Sequence, residues 1–222
     1  MASDEVGSQG RVVTEPRVNG VEVFSEALGA RIRDERVAAG LSVRGLAART
    51  NVSPSLISQI ERGRARPSVA TLFAIAAELG LPVAQLFSET RPEVAEPARP
   101  AREIVQRHET RKKMTLAQGV RWERLTFAPD DEVDFVFLDY PPGASSSPDG
   151  ELRSHGGREF GYVLSGELRV RIGGEEHLLR PNDSISFDST MPHELIAGGE
   201  EPMRAVWLVV NRRGDPRGDA LR

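Results

Sequence analysis

The stretch Leu41–Gly63 constrains this chain more than any other segment. Two sets of apolar residues at helical spacing, Val43-Leu46-Ala47 and Ile57-Ile60, are preceded by Ser42 and Ser53. A serine in that place accepts a hydrogen bond from the free backbone N–H groups at a helix start. Pro54 takes the first helical position, where its missing N–H costs nothing. Asn51 lies where the chain must turn, and asparagine tolerates left-handed backbone better than most residues. Gly63 stops the second helix. The pattern predicts two short helices joined by a tight turn.

Helices are predicted on both sides of this unit. One runs from about Ser25 to Ala39 with Leu28 and Ile32 inward, and ends at Gly40. Another is capped by Ser68, carries Val69, Leu72, Phe73 and Ala76 on one stripe, and ends at Gly80. A short fifth helix follows Pro82, with Val83, Leu86 and Phe87. The second helix of the central unit leaves Ser55, Ser58 and Gln59 outward, side chains suited to reading base edges. Arg62, Arg64 and Arg66 follow directly, where phosphates of a bound duplex would lie. Arg44 is the charge at the start of the first helix, and Ser53 begins the second.

Net charge decides whether double-stranded DNA is a plausible partner. The whole chain carries −4. Residues 25–88, however, hold eight arginines against five acids, whereas 102–222 hold 17 basic residues against 21 acidic ones. The basic surplus therefore lies in the helical segment, as nucleic-acid binding requires.

The pattern then changes. Residues 89–101 form a proline-rich linker, and from Arg102 short alternating runs are punctuated by Gly, Pro, Asn and Asp. Arg121–Phe127, Val133–Tyr140, Phe160–Leu164, Glu167–Ile172, Ser184–Phe187 and Ala205–Val210 are the candidate strands. Gly173-Gly174 and Pro181-Asn182-Asp183 are turn signals. Many short strands imply a small antiparallel barrel or sandwich over 102–211. Residues 1–22 and 212–222 are polar tails without an apolar period. No apolar run is long enough for a membrane span. The segment MASDEVGSQG has no apolar core of a signal peptide, and no cysteine is present. These features set the expectation of a cytoplasmic protein.

The helical segment, 23–88, resembles the lambda-repressor-like, XRE-type DNA-binding domain. The resemblance rests on Leu46-Ala47, Val52-Ser53, Ile57-Ser58, Ile60-Glu61-Arg62-Gly63, Pro67-Ser68, Leu72, Ile75-Ala76 and Leu79-Gly80. It implies a five-helix bundle whose second motif helix reads bases through Ser55, Ser58 and Gln59. It also implies an internal ion pair between Arg36 and Glu61.

Residues 102–211 resemble a cupin, on His155-Gly156-Gly157-Arg158-Glu159-Phe160-Gly161-Tyr162 through Gly166, and on Pro181–Phe187 through Pro192-His193. Cupins commonly hold a divalent metal through two histidines close together, a glutamate and a later histidine. Arg153 stands at the first histidine position, which leaves His155, Glu159 and His193. Two histidines and one carboxylate suit Fe(II), and Zn, Mn or Ni also fit. The other reading is a metal-free polar pocket, with Arg153 paired to Glu159. Arg153 and Tyr162 are the expected ligand-pocket residues. Trp122, Phe135, Phe137, Tyr140, Tyr162 and Trp207 are expected mainly in the barrel core.

Together the halves resemble regulators that join an XRE domain to a C-terminal cupin sensor. That implies a two-domain α + β protein, a transcription regulator and more often a repressor, acting as a homodimer on a palindromic operator and responding to a small-molecule effector. Coupling is expected to run across the linker. The alternative is an enzyme: the iron-dependent epoxidase that makes fosfomycin has a similar helical-plus-cupin layout with a His-Glu-His site.

Overall fold

Serine caps set the helix starts. In the structure, a computed structural model describing residues 20–86, 104–130 and 132–210, the side chains of Ser42, Ser53 and Ser68 accept from the backbone N–H groups of Gly45, Leu56 and Thr71. The helices are α1 (Gly20–Ala38), α2 (Val43–Thr50), α3 (Pro54–Glu61), α4 (Val69–Glu78) and α5 (Val83–Leu86). Asn51 turns the chain from α2 to α3 with φ 52°. α5 is a single turn, so the bundle has four full helices rather than the five expected. Most of the tail over 1–22, the linker and the tail at 212–222 lie outside the described residues.

Leu28, Ile32, Leu46, Ile57, Ile60 and Leu72 close the helical core. α1 and α3 approach at Gly29, where an added Cβ would overlap the Ile60 carbonyl oxygen. Arg36 of α1 donates to both carboxylate oxygens of Glu61 at the end of α3, at 2.6 and 2.9 Å, and to the Leu41 carbonyl at 2.7 Å.

The β half contains β1 (Lys113–Thr115), β2 (Arg121–Arg124), β3 (Val133–Tyr140), β4 (Arg158–Ser165), β5 (Glu167–Ile172), β6 (Glu175–Leu179), β7 (Ser184–Asp188), β8 (His193–Gly198) and β9 (Met203–Val210). They form a six-stranded sheet in the order β1-β2-β3-β9-β4-β7 and a three-stranded sheet in the order β6-β5-β8, with all pairings antiparallel. Of the barrel or sandwich expected, the structure has two separate sheets sharing one apolar core, not a closed barrel. At the corners Gly166, with φ 72°, carries the chain from β4 into β5, and Asn182, with φ 75°, carries it from β6 into β7. At each corner the chain leaves one sheet for the other, so the ladder does not continue.

Strand alternation sets the two faces of the large sheet. Asp134, Val136, Leu138, Glu159, Gly161, Val163, Ala205, Trp207 and Val209 point inward. Phe135, Leu208 and Phe160 form one cross-strand row on the outer face, and Phe137, Val206 and Tyr162 form the next. Phe135 and Phe137 thus lie outside the core in which they were expected.

The helical and β halves touch directly. The Ala70 N–H donates to the Ser146 carbonyl and the Ala117 N–H to the Pro67 carbonyl, both at 3.0 Å. Their apolar residues form one continuous buried cluster.

Candidate functional site

On α3 the residues expected to read bases are Ser55, Ser58 and Gln59. Ser55 and Gln59 are exposed and Ser58 half-buried, while Ile57 and Ile60 face the core. Gln59 Nε2 donates to Ser55 Oγ at 3.3 Å, so the two share one outward ridge. Arg62, Arg64 and Arg66 are exposed just beyond the helix, and Arg44 is exposed at the start of α2. Arg62 Nε donates back to the Ser58 carbonyl at 3.0 Å. The Ser53 hydroxyl caps α3.

The second site is a cavity of about 310 Å³ on the inner face of the large sheet. His155 enters it from the loop before β4, where Gly157 at φ 107° bends the backbone. Glu159 follows on β4, and His193 opens β8 on the other sheet. The isolated bridge between Arg153 and His193 fixes these segments side by side.

Each ring has one nitrogen committed elsewhere. His155 Nδ1 lies 3.0 Å from the Gly156 carbonyl, and His193 Nδ1 lies 2.8 Å from the Met191 carbonyl. A carbonyl only accepts, so each Nδ1 is the protonated one. Both Nε2 atoms then turn toward Glu159 Oε1, each at 3.0 Å. Glu159 Oε2 is already satisfied by the Trp207 indole N–H at 2.7 Å. Glu159 Oε1 and His155 Nε2 are buried and lack any hydrogen bond of proper geometry. Two imidazole lone pairs facing one carboxylate oxygen repel unless positive charge sits among them.

The acid–base balance shows the same demand for positive charge around Glu159, which a proton on His193 meets when no ion is bound. Burial pushes the Glu159 carboxyl up, but the two imidazoles outweigh it and hold the group well below the usual carboxylate range. For His193, burial pushes down, while Glu159 more than offsets this and raises the imidazole. The ligand atoms of His155, Glu159 and His193 all lie within 4.8 Å of one another. With Nδ1 groups anchored on carbonyls and Glu159 anchored on Trp207, the set has the outer hydrogen bonds that orient metal ligands. The donor set fits a divalent ion.

Arg153 lines the cavity but is not paired with Glu159. Its guanidinium forks onto Asp149, at 2.9 and 2.5 Å, and donates to Ser147 Oγ at 2.6 Å. Tyr162 corrects the sequence reading. It lies three residues from Glu159 on a strand and so occupies the opposite, outer face, with its hydroxyl on Asn182 Oδ1 at 3.0 Å. Trp122, Tyr140 and Trp207 do line the cavity. Two contacts escape sequence reasoning: Trp207 on Glu159, and Phe73 of α4, which lies flat on His155 with ring centroids 4.3 Å apart. Strand parity offers a signal for Trp207, since it shares the inward face with Val209 and Ala205. Phe73 offers none, being one more apolar residue on a helical stripe.

Comparison with known proteins matches residues 32–86 to the helix-turn-helix family and residues 136–209 to the cupin domain. HTH-type transcriptional regulator PuuR of Escherichia coli is 31% identical over 168 residues, covering 75% of this chain and 85% of that protein. HTH-type transcriptional regulator SutR of the same species is 24% identical over 192 residues, covering 85% and 97%. A solved HTH_3 family transcriptional regulator from Vibrio cholerae shares the fold with a TM-score of 0.61 at 22% identity, over 85% of this chain and 97% of that one.

Proposed function

The chain belongs to the HTH-type transcriptional regulators that carry a cupin domain, and we propose that its cupin cavity senses a small effector together with a divalent metal held by His155, Glu159 and His193. The observation that carries this reading is the convergence of His155 Nε2 and His193 Nε2 on Glu159 Oε1, with His155 Nε2 and Oε1 buried and without a hydrogen bond of proper geometry. A bound metal would supply a Lewis-acidic centre for an effector's oxygen or nitrogen atoms. His155 and His193 would present neutral nitrogens to it and Glu159 would balance its charge, while Trp207 keeps the carboxylate turned inward. Titration with cobalt(II), followed by its visible absorption, tests the site. About one equivalent should bind the wild-type chain, and Glu159→Ala should abolish that binding. The same ligands also suit iron-dependent oxygen chemistry. Oxygen consumption by the Fe(II)-loaded chain would shift the reading to an enzyme.

On the DNA side, Ser55, Ser58 and Gln59 face the major groove, while Arg44, Arg62, Arg64 and Arg66 hold phosphates. Gln59→Ala should cost about 1–3 kcal/mol on the preferred duplex and little on unrelated DNA. Arg62→Ala should weaken binding to all sequences and flatten the salt dependence. Anisotropy titrations over a salt series separate the two.

Reading a palindromic operator takes two copies. The outer face of the large sheet supplies the surface for a second copy. There Phe135, Leu208, Phe160, Phe137, Val206 and Tyr162 make two apolar rows. A charged row of Arg121, Asp139 and Arg204 rims them. An apolar centre with a polar rim is the anatomy of a protein interface. The double variant Phe160→Lys/Tyr162→Lys should sediment as a monomer at micromolar concentration where the wild type sediments as a dimer. An unchanged sedimentation coefficient would move the interface elsewhere. We place the regulator in the cytoplasm, with its DNA. Among the described residues, no helix is long and apolar enough to cross a membrane.

A further inference from the structure

One wall of the cavity comes from the DNA-binding half. Val69, Phe73, Ala74 and Ala77 of α4 line it, as do Thr50 and Asn51 where α2 turns toward α3. The Phe73 ring is parallel to the His155 imidazole within 2°, and its edge meets Trp122 with centroids 5.5 Å apart. A phenylalanine on a surface helix of an independent domain has no reason to lie flat on a candidate metal ligand of another. Here it is 9% exposed and is part of the site's lining.

The same helix is tied to the DNA-reading unit. α4 packs on α2, and Arg49 of α2 pairs with Glu78 of α4 at 3.7 Å, both residues lining the cavity. α2 passes through Asn51 directly into α3. At its other end α4 is pinned to the β half by the hydrogen bond from Ala70 to Ser146. Whatever binds His155 Nε2 fixes the tilt of the ring under Phe73, and whatever fills the cavity presses on α4. The physical route from cavity to recognition helix is His155, Phe73, α4, α2 and α3, with every neighbouring pair in contact or continuous along the chain.

We propose that the effector cavity is shared by the two domains, with α4 as one of its walls, and that the stacking of Phe73 on His155 is the contact through which occupancy changes DNA affinity. This rests on the reading of His155, Glu159 and His193 as a binding site. It replaces coupling across the linker with coupling through a packed interface.

The test uses the full chain, cobalt(II) as the probe, and a duplex from the region upstream of its own coding sequence. The readout is the ratio of DNA affinities with and without cobalt. The wild-type ratio should fall in the range typical of coupled sites, about 5–150-fold. Phe73→Ala should bring it to below roughly two-fold at a cobalt concentration that saturates that variant's own absorption, so that a change in cobalt affinity does not enter the ratio. Phe73→Leu keeps an apolar wall without the flat ring and should fall between. A wild-type ratio in Phe73→Ala, or a wild-type chain that binds cobalt with no change in DNA affinity, overturns the proposal. If the wild type binds no cobalt, the metal reading fails by itself, and a second arm decides the inference. The chain has no cysteine, so Ala70→Cys/Ser146→Cys places a single disulfide between α4 and the cavity rim. DNA affinity should then differ at least about five-fold between the oxidised and reduced forms. Equal affinities overturn the shared-wall proposal even if Phe73→Ala does not fold.

Discussion

Replacing Arg36 with alanine is expected to remove about 3–5 kcal/mol of folding stability. The guanidinium is held by two bonds to Glu61 and one to the Leu41 carbonyl, and the paired side chains are only 10% and 6% exposed. The hydrogen bond to Glu61 raises the Arg36 pKa despite its burial, so the guanidinium stays charged. Removing the arginine strands the Glu61 carboxylate in a site built for a counter-ion. Because Glu61 ends α3, the recognition helix should also lose its angle to α1. Urea unfolding measures the change. A loss below about 1 kcal/mol would show that the pair behaves like an exposed one. The double replacement Arg36→Met/Glu61→Leu should recover most of the loss, since neither charge is then left alone.

Trp207→Phe is expected to weaken cobalt binding about 10–100-fold, the usual effect of losing a hydrogen bond that orients a metal ligand. The phenyl ring fills most of the indole's volume but offers no donor. Glu159 Oε2 is then buried without a partner and free to turn toward the imidazoles. Gly161, directly opposite Trp207 in the sheet, is what lets the indole lie there: a Cβ at that position would overlap the ring. Gly161→Ala should therefore weaken cobalt binding comparably and cost about 1–3 kcal/mol of stability from overpacking. Cobalt absorption and thermal unfolding read the two effects separately. Wild-type cobalt affinity in Trp207→Phe would show that the indole bond does not orient the carboxylate.

Local chemistry was legible in the sequence wherever it determined local geometry. The caps at Ser42, Ser53 and Ser68, the left-handed Asn51, the Arg36–Glu61 pair and the bounds of β3 and β5 all follow from residues near one another or from a family pattern. The His155, Glu159 and His193 cluster required the resemblance, because β4 and β8 belong to different sheets. Parity along β4 alone excludes Tyr162 from the cavity. On β3 it separates Phe135 and Phe137 from Val136 and Leu138, but both sets are apolar, so parity cannot say which set faces inward. The docking of α4 on the cavity has no sequence signature, since it joins surfaces whose residues would suit any apolar core. The split into two sheets was equally hidden, because it depends on where corner residues such as Gly166 and Asn182 hand the chain from one sheet to the other.

The position of β9 shapes how this protein comes into being on the ribosome. It is the last described strand along the chain, yet it sits between β3 and β4 in the middle of the large sheet. At typical synthesis rates the stretch from α5 to β9 takes on the order of ten seconds to emerge. During that interval the helical half can fold, but the surface against which Phe73 and its cavity-facing neighbours Val69, Ala74 and Ala77 will rest does not yet exist. The newborn protein therefore carries a finished DNA-reading helix beside an uncovered greasy flank. That flank is a natural landing place for a chaperone, and a hazard if translation stalls before Met203.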